Sequence, residues 1–174
     1  MRLTQWTDYS LRVLMYCAAS AQREQPATIG EIAEAHGISR SHLTKIVMTL
    51  SGLGLLETTR GRGGGLRLLK PAQAIVLGEV VRQTESDFTL VECFDAAHNT
   101  CRLDGHCRLK GALSLAMERY LEVLDGLTLA DLVAPMEAAP GERTVHRLRL
   151  VPGLPGPPVG PIRRPRVSAR GKSR

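Results

Sequence analysis

The sequence predicts a mainly α-helical protein with a small β hairpin: a winged helix-turn-helix head followed by a long dimerisation helix. Three observations carry that expectation. Apolar residues recur at helical spacing over 7–21, 28–36, 40–50 and 108–125. The second and third of these segments are joined by a short turn containing Gly37. A Gly-rich run, Gly61-Arg62-Gly63-Gly64-Gly65, separates two short extended stretches.

The first helix is expected from Thr7 to Ala21, capped by Thr7, with Asp8 at the positive end of its dipole and Leu11, Leu14, Met15 and Ala18 along one face. Gln22 to Pro26 breaks it. Thr28 and Glu31 form a capping-box pattern that starts the second helix, which runs through Ile29, Ile32 and Ala33 to His36 and stops at Gly37. Ser39 caps the third, whose inward stripe is Leu43, Ile46, Val47 and Leu50. Leu55 to Arg60 and Leu66 to Leu69 make the wing, and Pro71 closes the unit. A short helix over Ile75 to Thr84 leads to the cysteine-containing stretch. From about Arg108 to Asp125 a longer helix places Leu109, Ala112, Leu113, Ala116, Tyr120 and Leu124 on one side, a stripe that needs a partner surface: a second copy of the chain, or the chain's own core. Residues Thr128 to Val133 form a last short helix. The predicted organisation is a head over 1–70, a cysteine loop and dimerisation helix over 71–139, and a disordered basic tail rich in Pro, Gly and Arg over 140–174.

Charge is unevenly divided along the 174 residues, whose net formal charge is +6. The tail from 140 carries nine Lys or Arg against one acid, residues 28–70 carry six bases against three acids, and residues 71–139 carry five bases against eleven acids. Positive charge on the head and tail favours a polyanion, while the acidic middle limits indiscriminate adhesion. No apolar run reaches the roughly 18 residues that span a bilayer, and the N-terminus lacks a secretory pattern, so a cytoplasmic location without membrane attachment is expected. Neither a C-x-x-C pair, a nucleophile motif nor a nucleotide-binding glycine pattern occurs, which argues against an enzyme.

In a helix-turn-helix the second helix enters the major groove. Its outward residues here are Arg40, Ser41, His42, Thr44, Lys45 and Thr49, of which Arg40, Ser41, His42 and Lys45 are the best candidates for DNA contact, beside the cap Ser39. Arg60 and Arg62 on the wing, with Arg67 as a further candidate, are placed to meet sugar-phosphate, and Thr28 at a helix start offers backbone N–H groups to a phosphate. A solvated polar face is the ordinary explanation for any one such helix; the compound pattern of helix, glycine turn, basic helix and basic glycine-rich hairpin favours double-stranded DNA.

Cys93, Cys101 and Cys107 fall within fifteen residues at a spacing of seven and five intervening residues, unlike the paired knuckles of structural zinc. Three thiolates suit an iron-sulfur cluster and leave one coordination position for another residue. His106, Asp104, His98 and Asp95 are near in sequence and Asp8 is available from the first helix; spacing does not choose among them. Cys17, in the apolar first helix, reads as a buried structural thiol.

The stretches "MRLTQWTDYSLRVLMY", "IGEIAEAHGISRSHLTKIVMTLSGLGLLETTRGRGGGLRLLKPA", "VLGEVVRQTESDFTLVECFD" and "LDGLTLADL" resemble the Rrf-two family of winged-helix regulators, and within it the nitric oxide-sensing NsrR type, over residues 1 to about 134. The resemblance implies a homodimeric transcriptional repressor with one iron-sulfur cluster per subunit. Such a repressor occupies palindromic operators of nitrosative-stress genes and releases them when nitric oxide attacks the cluster. Carried over by position, Cys93, Cys101 and Cys107 are ligands and Asp8, donated across the dimer, is the fourth, which favours 4Fe-4S over 2Fe-2S. The alternative within the family is the IscR type, which governs cluster biogenesis or oxidative-stress genes; it uses a His three residues after the last cysteine, where this chain has Lys110. Two features depart from the family pattern: a longer gap between Cys93 and Cys101, and the tail.

Overall fold

Hydroxyl caps set where the head's helices begin. In the computed structural model, which describes residues 2–103 and 106–134, helix α1 spans Gln5–Ala19 and is capped by Thr4, whose hydroxyl accepts from Thr7 N–H at 3.3 Å. Thr7, expected as the cap, instead lies in the first turn and is fully buried. Helix α2, Ile29–His36, has the expected reciprocal capping box between Thr28 and Glu31, and Gly37 closes it in the left-handed region at φ 65°. Helix α3, Arg40–Gly52, starts at Ser39, whose hydroxyl accepts from His42 N–H at 3.3 Å. Each cap satisfies a backbone donor that the helix leaves orphaned, typically about 1 kcal/mol of stability.

Strands β1, Leu56–Thr59, and β2, Gly65–Leu68, pair antiparallel with Leu56 opposite Leu68 and Thr59 opposite Gly65. The loop after α1 joins them: Leu66 N–H donates to Ala27 carbonyl at 2.7 Å. A 3₁₀ turn at Ala72–Ala74 leads to α4, Leu77–Thr84, and another at Glu92–Phe94 lies in the cysteine loop. Helix α5 spans Arg108–Asp125 and α6 spans Leu129–Val133.

One core unites these elements. Leu14 of α1, Ile32 of α2, Leu43, Ile46 and Leu50 of α3, Leu66 of the wing, Ile75 and Val80 around α4, and Leu129 of α6 form a single buried cluster. The predicted inward stripe of α3 is therefore the observed one. Each such side chain contributes roughly 1.5–3 kcal/mol by leaving water. Because the cluster takes residues from both sides of position 70, residues 1–70 share one core with the segment that leads into the cysteine loop.

The stripe read on α5 divides in two. Leu113, Tyr120 and Leu124 are half-buried with Met117 and Leu121 on the side turned to the chain itself, while Leu109, Ala112 and Ala116 are exposed along with Leu115 and Val123. The reason is the way α4 seats α5. Arg82 donates two hydrogen bonds to Asp125, at 2.5 and 2.7 Å, and a Cβ on Gly78 would fall 1.8 Å from an Asp125 oxygen, so the glycine leaves room for the Asp125 carboxylate in this pair. The tail expected to be disordered, and Asp104, lie outside the described residues.

Candidate nucleic-acid interface and cysteine loop

The capped α2–α3 pair presents one polar surface. Thr28, Ser39, Arg40, Ser41 and Lys45 are all exposed. Ideal Cβ placement on Gly30 comes 3.4 Å from an Arg40 guanidinium nitrogen and 3.8 Å from Thr28 Oγ1, so Arg40 and the start of α2 lie over the same glycine. A guanidinium beside a helix N-terminus is a phosphate-binding combination; here the capping box already occupies the N–H groups of Thr28 and Glu31. Thr44 and Thr49 donate their hydroxyls back to the carbonyls of Arg40 and Lys45, at 2.8 and 3.2 Å, and keep only acceptor capacity for a base edge.

His42 has neighbours on α1. Its ring packs against Trp6 and Tyr9 of α1, with centroids 5.9 and 5.3 Å away, and the residue is half-buried. His42 thus ties α3 to α1; its partners lie more than thirty residues upstream, where no local pattern could indicate them. Met48, which the sequence reading does not single out, stands one turn beyond Thr44 and Lys45 on the outward face of α3 and is 70% exposed. Its position i+4 from Thr44 and i+3 from Lys45 is the signal that marks it.

The wing carries Arg60 and Arg62, both exposed at the tip, on a turn closed by Gly64 N–H donating to Gly61 carbonyl at 3.0 Å. A Cβ on Gly64 would sit 2.2 Å from Thr59 carbonyl oxygen, which fixes that residue as glycine. Arg67, also suggested for sugar-phosphate, donates to the carbonyls of Arg23, at 3.4 Å, and Glu24, at 2.6 Å, and so braces the loop after α1 against β2. Glu31 pairs with Arg23 at 2.9 Å; that guanidinium, and then the Thr28 backbone, hold its carboxyl below the usual range.

Polar side chains fold the cysteine loop. Glu92 accepts from the backbone N–H and hydroxyl of Thr100, at 2.5 and 2.6 Å, and both bonds depress its pKa, the hydroxyl more. Asn99 accepts from Cys101 N–H at 3.0 Å. Asp95 meets His98 Nδ1 at 2.7 Å, so these two candidate ligands are engaged with each other. Cys93, Cys101 and Cys107 are half-buried free thiols. Cys93 and Cys107 line one cleft of about 950 Å³ between the loop and α5, with Phe88, Phe94, His106 and Met117; Cys101 is not part of that lining. Among the described residues, no three His, Cys, Asp or Glu side chains converge as a metal site. Asp8 is bound by Arg12 at 3.1 Å and lines a separate hollow with Arg2 and Gln5. Cys17 is buried and its thiol is pushed up to about 12 by desolvation, so it stays protonated.

The donor chemistry suits an iron-sulfur cluster: three accessible thiols in one loop, two of them facing one cleft, and a fourth cysteine held inert in the core. The family model described as "Rrf2: Iron-dependent Transcriptional regulator" matches residues 3–135. The chain belongs to the Rrf2 family. It is 51% identical over 137 residues to the HTH-type transcriptional regulator NsrR of Bacillus subtilis, covering 79% of this chain and 93% of that one, which makes it an Rrf2 regulator of the NsrR type. The solved structure of CymR, the global cysteine regulator of B. subtilis, superposes with TM-score 0.62 at 26% identity, over 76% of this chain and 96% of that one. IscR of T. potens shares the fold with TM-score 0.59 at 24% identity, over 76% of this chain and 86% of that one. As an Rrf2 member the protein is a DNA-binding transcriptional regulator and not an enzyme. No helix among the described residues is long and apolar enough to cross a membrane.

Proposed function

We propose that the protein is a homodimeric repressor that responds to nitric oxide through an iron-sulfur cluster, one per subunit, held by Cys93, Cys101 and Cys107 with Asp8 of the partner subunit as fourth ligand. A 4Fe-4S cluster suits three thiolates and one carboxylate. The observation that carries this reading is the placement of the thiols: Cys93 and Cys107 share a cleft against α5, and Cys107 is the residue from which α5 starts. Bound there, the cluster would supply a centre that reacts with nitric oxide. Asp8 of the same subunit lies outside the cysteine cleft, in a separate hollow where Arg12 holds its carboxylate, so as a ligand it would come from the second chain and would exchange Arg12 for the cluster.

The exposed side of α5, with Leu109, Ala112, Leu115, Ala116 and Val123, provides an apolar surface for a two-fold contact. Two α3 helices brought together in this way read a palindromic operator, with Ser41 and Lys45 toward bases and Thr28, Arg40, Arg60 and Arg62 toward phosphates. A dimer whose loops are tied down by their thiolates keeps the two reading helices at a fixed separation, and freeing Cys93 and Cys107 loosens the start of α5. A 100-fold loss of operator affinity on release needs only about 2.7 kcal/mol of difference between the two states.

Single Cys93→Ser, Cys101→Ser and Cys107→Ser variants, prepared without oxygen and titrated with a promoter fragment before and after nitric oxide, test the proposal. Each variant is expected to lose iron and to bind the fragment weakly whether or not the gas is added. Three variants that bind and release as the wild type does would overturn it.

A further inference from the structure

The outward face of the recognition helix contains one residue that the polar reading of the site leaves unused. Ser41, Thr44, Lys45 and Met48 follow one another at helical spacing on that face, and all four are exposed. Met48, at 70%, is the most exposed of the large apolar residues described. The inward positions of α3 are filled by Leu43, Ile46, Val47 and Leu50, so Met48 has no role in the core. Its neighbours on the groove-facing side are short or basic. Thr44 and Thr49 spend their hydroxyl protons on their own helix, which leaves Met48 as a long, unbranched arm whose reach exceeds theirs.

We infer that Met48 is a specificity-determining residue, whose thioether side chain packs against the C5-methyl group of a thymine in the major groove. The inference rests on the proposal that α3 reads DNA. The chemistry follows from what each base pair shows in that groove: the thymine methyl is its only apolar group, and an apolar side chain among polar ones selects it without a hydrogen bond. Methionine suits this contact because three rotatable bonds and a polarisable sulfur let it follow the groove floor. Lys45, on the same face, supplies affinity to a nearby acceptor or phosphate; Met48 supplies the choice of base.

Deoxyuridine differs from thymidine by that methyl alone, so it isolates the contact. Duplexes are first enriched from a random pool with the full chain prepared without oxygen. Each thymine of the enriched site is then replaced in turn by deoxyuridine, and binding is measured for the wild type, Met48→Ala and Met48→Leu. One replacement is expected to weaken the wild type about fourfold in each half-site, the effect of one methyl leaving its buried contact. Met48→Ala is expected to bind the unmodified site more weakly and to be indifferent to that replacement, whereas Met48→Leu retains the discrimination. A wild type that enriches a site yet responds to no deoxyuridine, or a Met48→Ala protein that discriminates as the wild type does, overturns the assignment and leaves DNA reading standing. Failure of the wild type to enrich any duplex overturns the DNA-reading proposal itself, and the Met48 contact with it.

Discussion

Substituting alanine for Gly64 separates the wing's architecture from its charge. The added Cβ would lie 2.2 Å from Thr59 carbonyl oxygen and 3.0 Å from Arg60 carbonyl carbon, and both are backbone atoms that cannot swing aside. An ordinary contact begins near 3.4 Å, so one arm of the hairpin has to move by about 1 Å. That movement opens the Gly64-to-Gly61 hydrogen bond and disturbs the pairing of Thr59 with Gly65. Overpacking of this kind costs about 1–3 kcal/mol, which appears as a lower midpoint in urea with an unchanged slope. Arg60 and Arg62 ride on the same turn. If both lose their phosphates, the slope of log affinity against log salt becomes shallower by about 1.8 per subunit. The paired Arg60→Ala and Arg62→Ala variant is expected to show the same loss of salt dependence with wild-type stability. A Gly64→Ala protein that unfolds at the wild-type urea concentration and keeps the full salt slope would refute the steric account of the wing.

Three further outcomes follow from the same geometry. Gly52, the last residue of α3, has an open surrounding and no positive φ, so Gly52→Ala is expected to raise stability in urea titrations through helix propensity, by less than the roughly 0.5–1 kcal/mol of an interior position. Arg67→Ala removes donors from the carbonyls of Arg23 and Glu24 and is expected to cost about 1 kcal/mol of stability while leaving the salt slope of DNA binding unchanged, which separates a brace from a phosphate contact. Alkylation of metal-free folded protein at pH 8 is expected to label Cys93, Cys101 and Cys107 and to spare Cys17 until the chain unfolds, as read by peptide mass. The folded Cys17 thiol holds its proton up to about 12 against 9.0 in the free residue, so its contribution is intact below pH 9 and falls as pH rises toward 12.

The head was legible in the sequence because its signals are local. The Thr28–Glu31 capping box, the Ser39 cap, the Gly37 stop and the α3 stripe each involve residues within a turn or two, and all four recur in the structure. The start of α1 is ambiguous in sequence because Thr4 and Thr7 are both cap-forming residues, and only tertiary packing buries Thr7. The α5 stripe has the right period, yet which half of it meets the chain depends on packing against α4, where Arg82 pairs with Asp125, 43 residues away in sequence. The packing of the His42 ring on Trp6 and Tyr9 is not legible on a helical wheel, because both partners come from another helix. In the loop, the cysteines are evident in sequence, whereas the closure of Glu92 on Thr100 and the shared cleft of Cys93 and Cys107 depend on a chain path that no motif encodes.

The central claim is that sulfur ligands in one loop decide whether two reading helices hold an operator. Oxygen-free protein, assayed in one sample for iron, sulfide and promoter occupancy while nitric oxide is added in measured steps, tests it most directly. The account predicts iron and acid-labile sulfide bound to every subunit, and an occupancy that falls as the gas is consumed by that iron. A preparation without iron or sulfide that still binds the promoter and releases it to nitric oxide would contradict it.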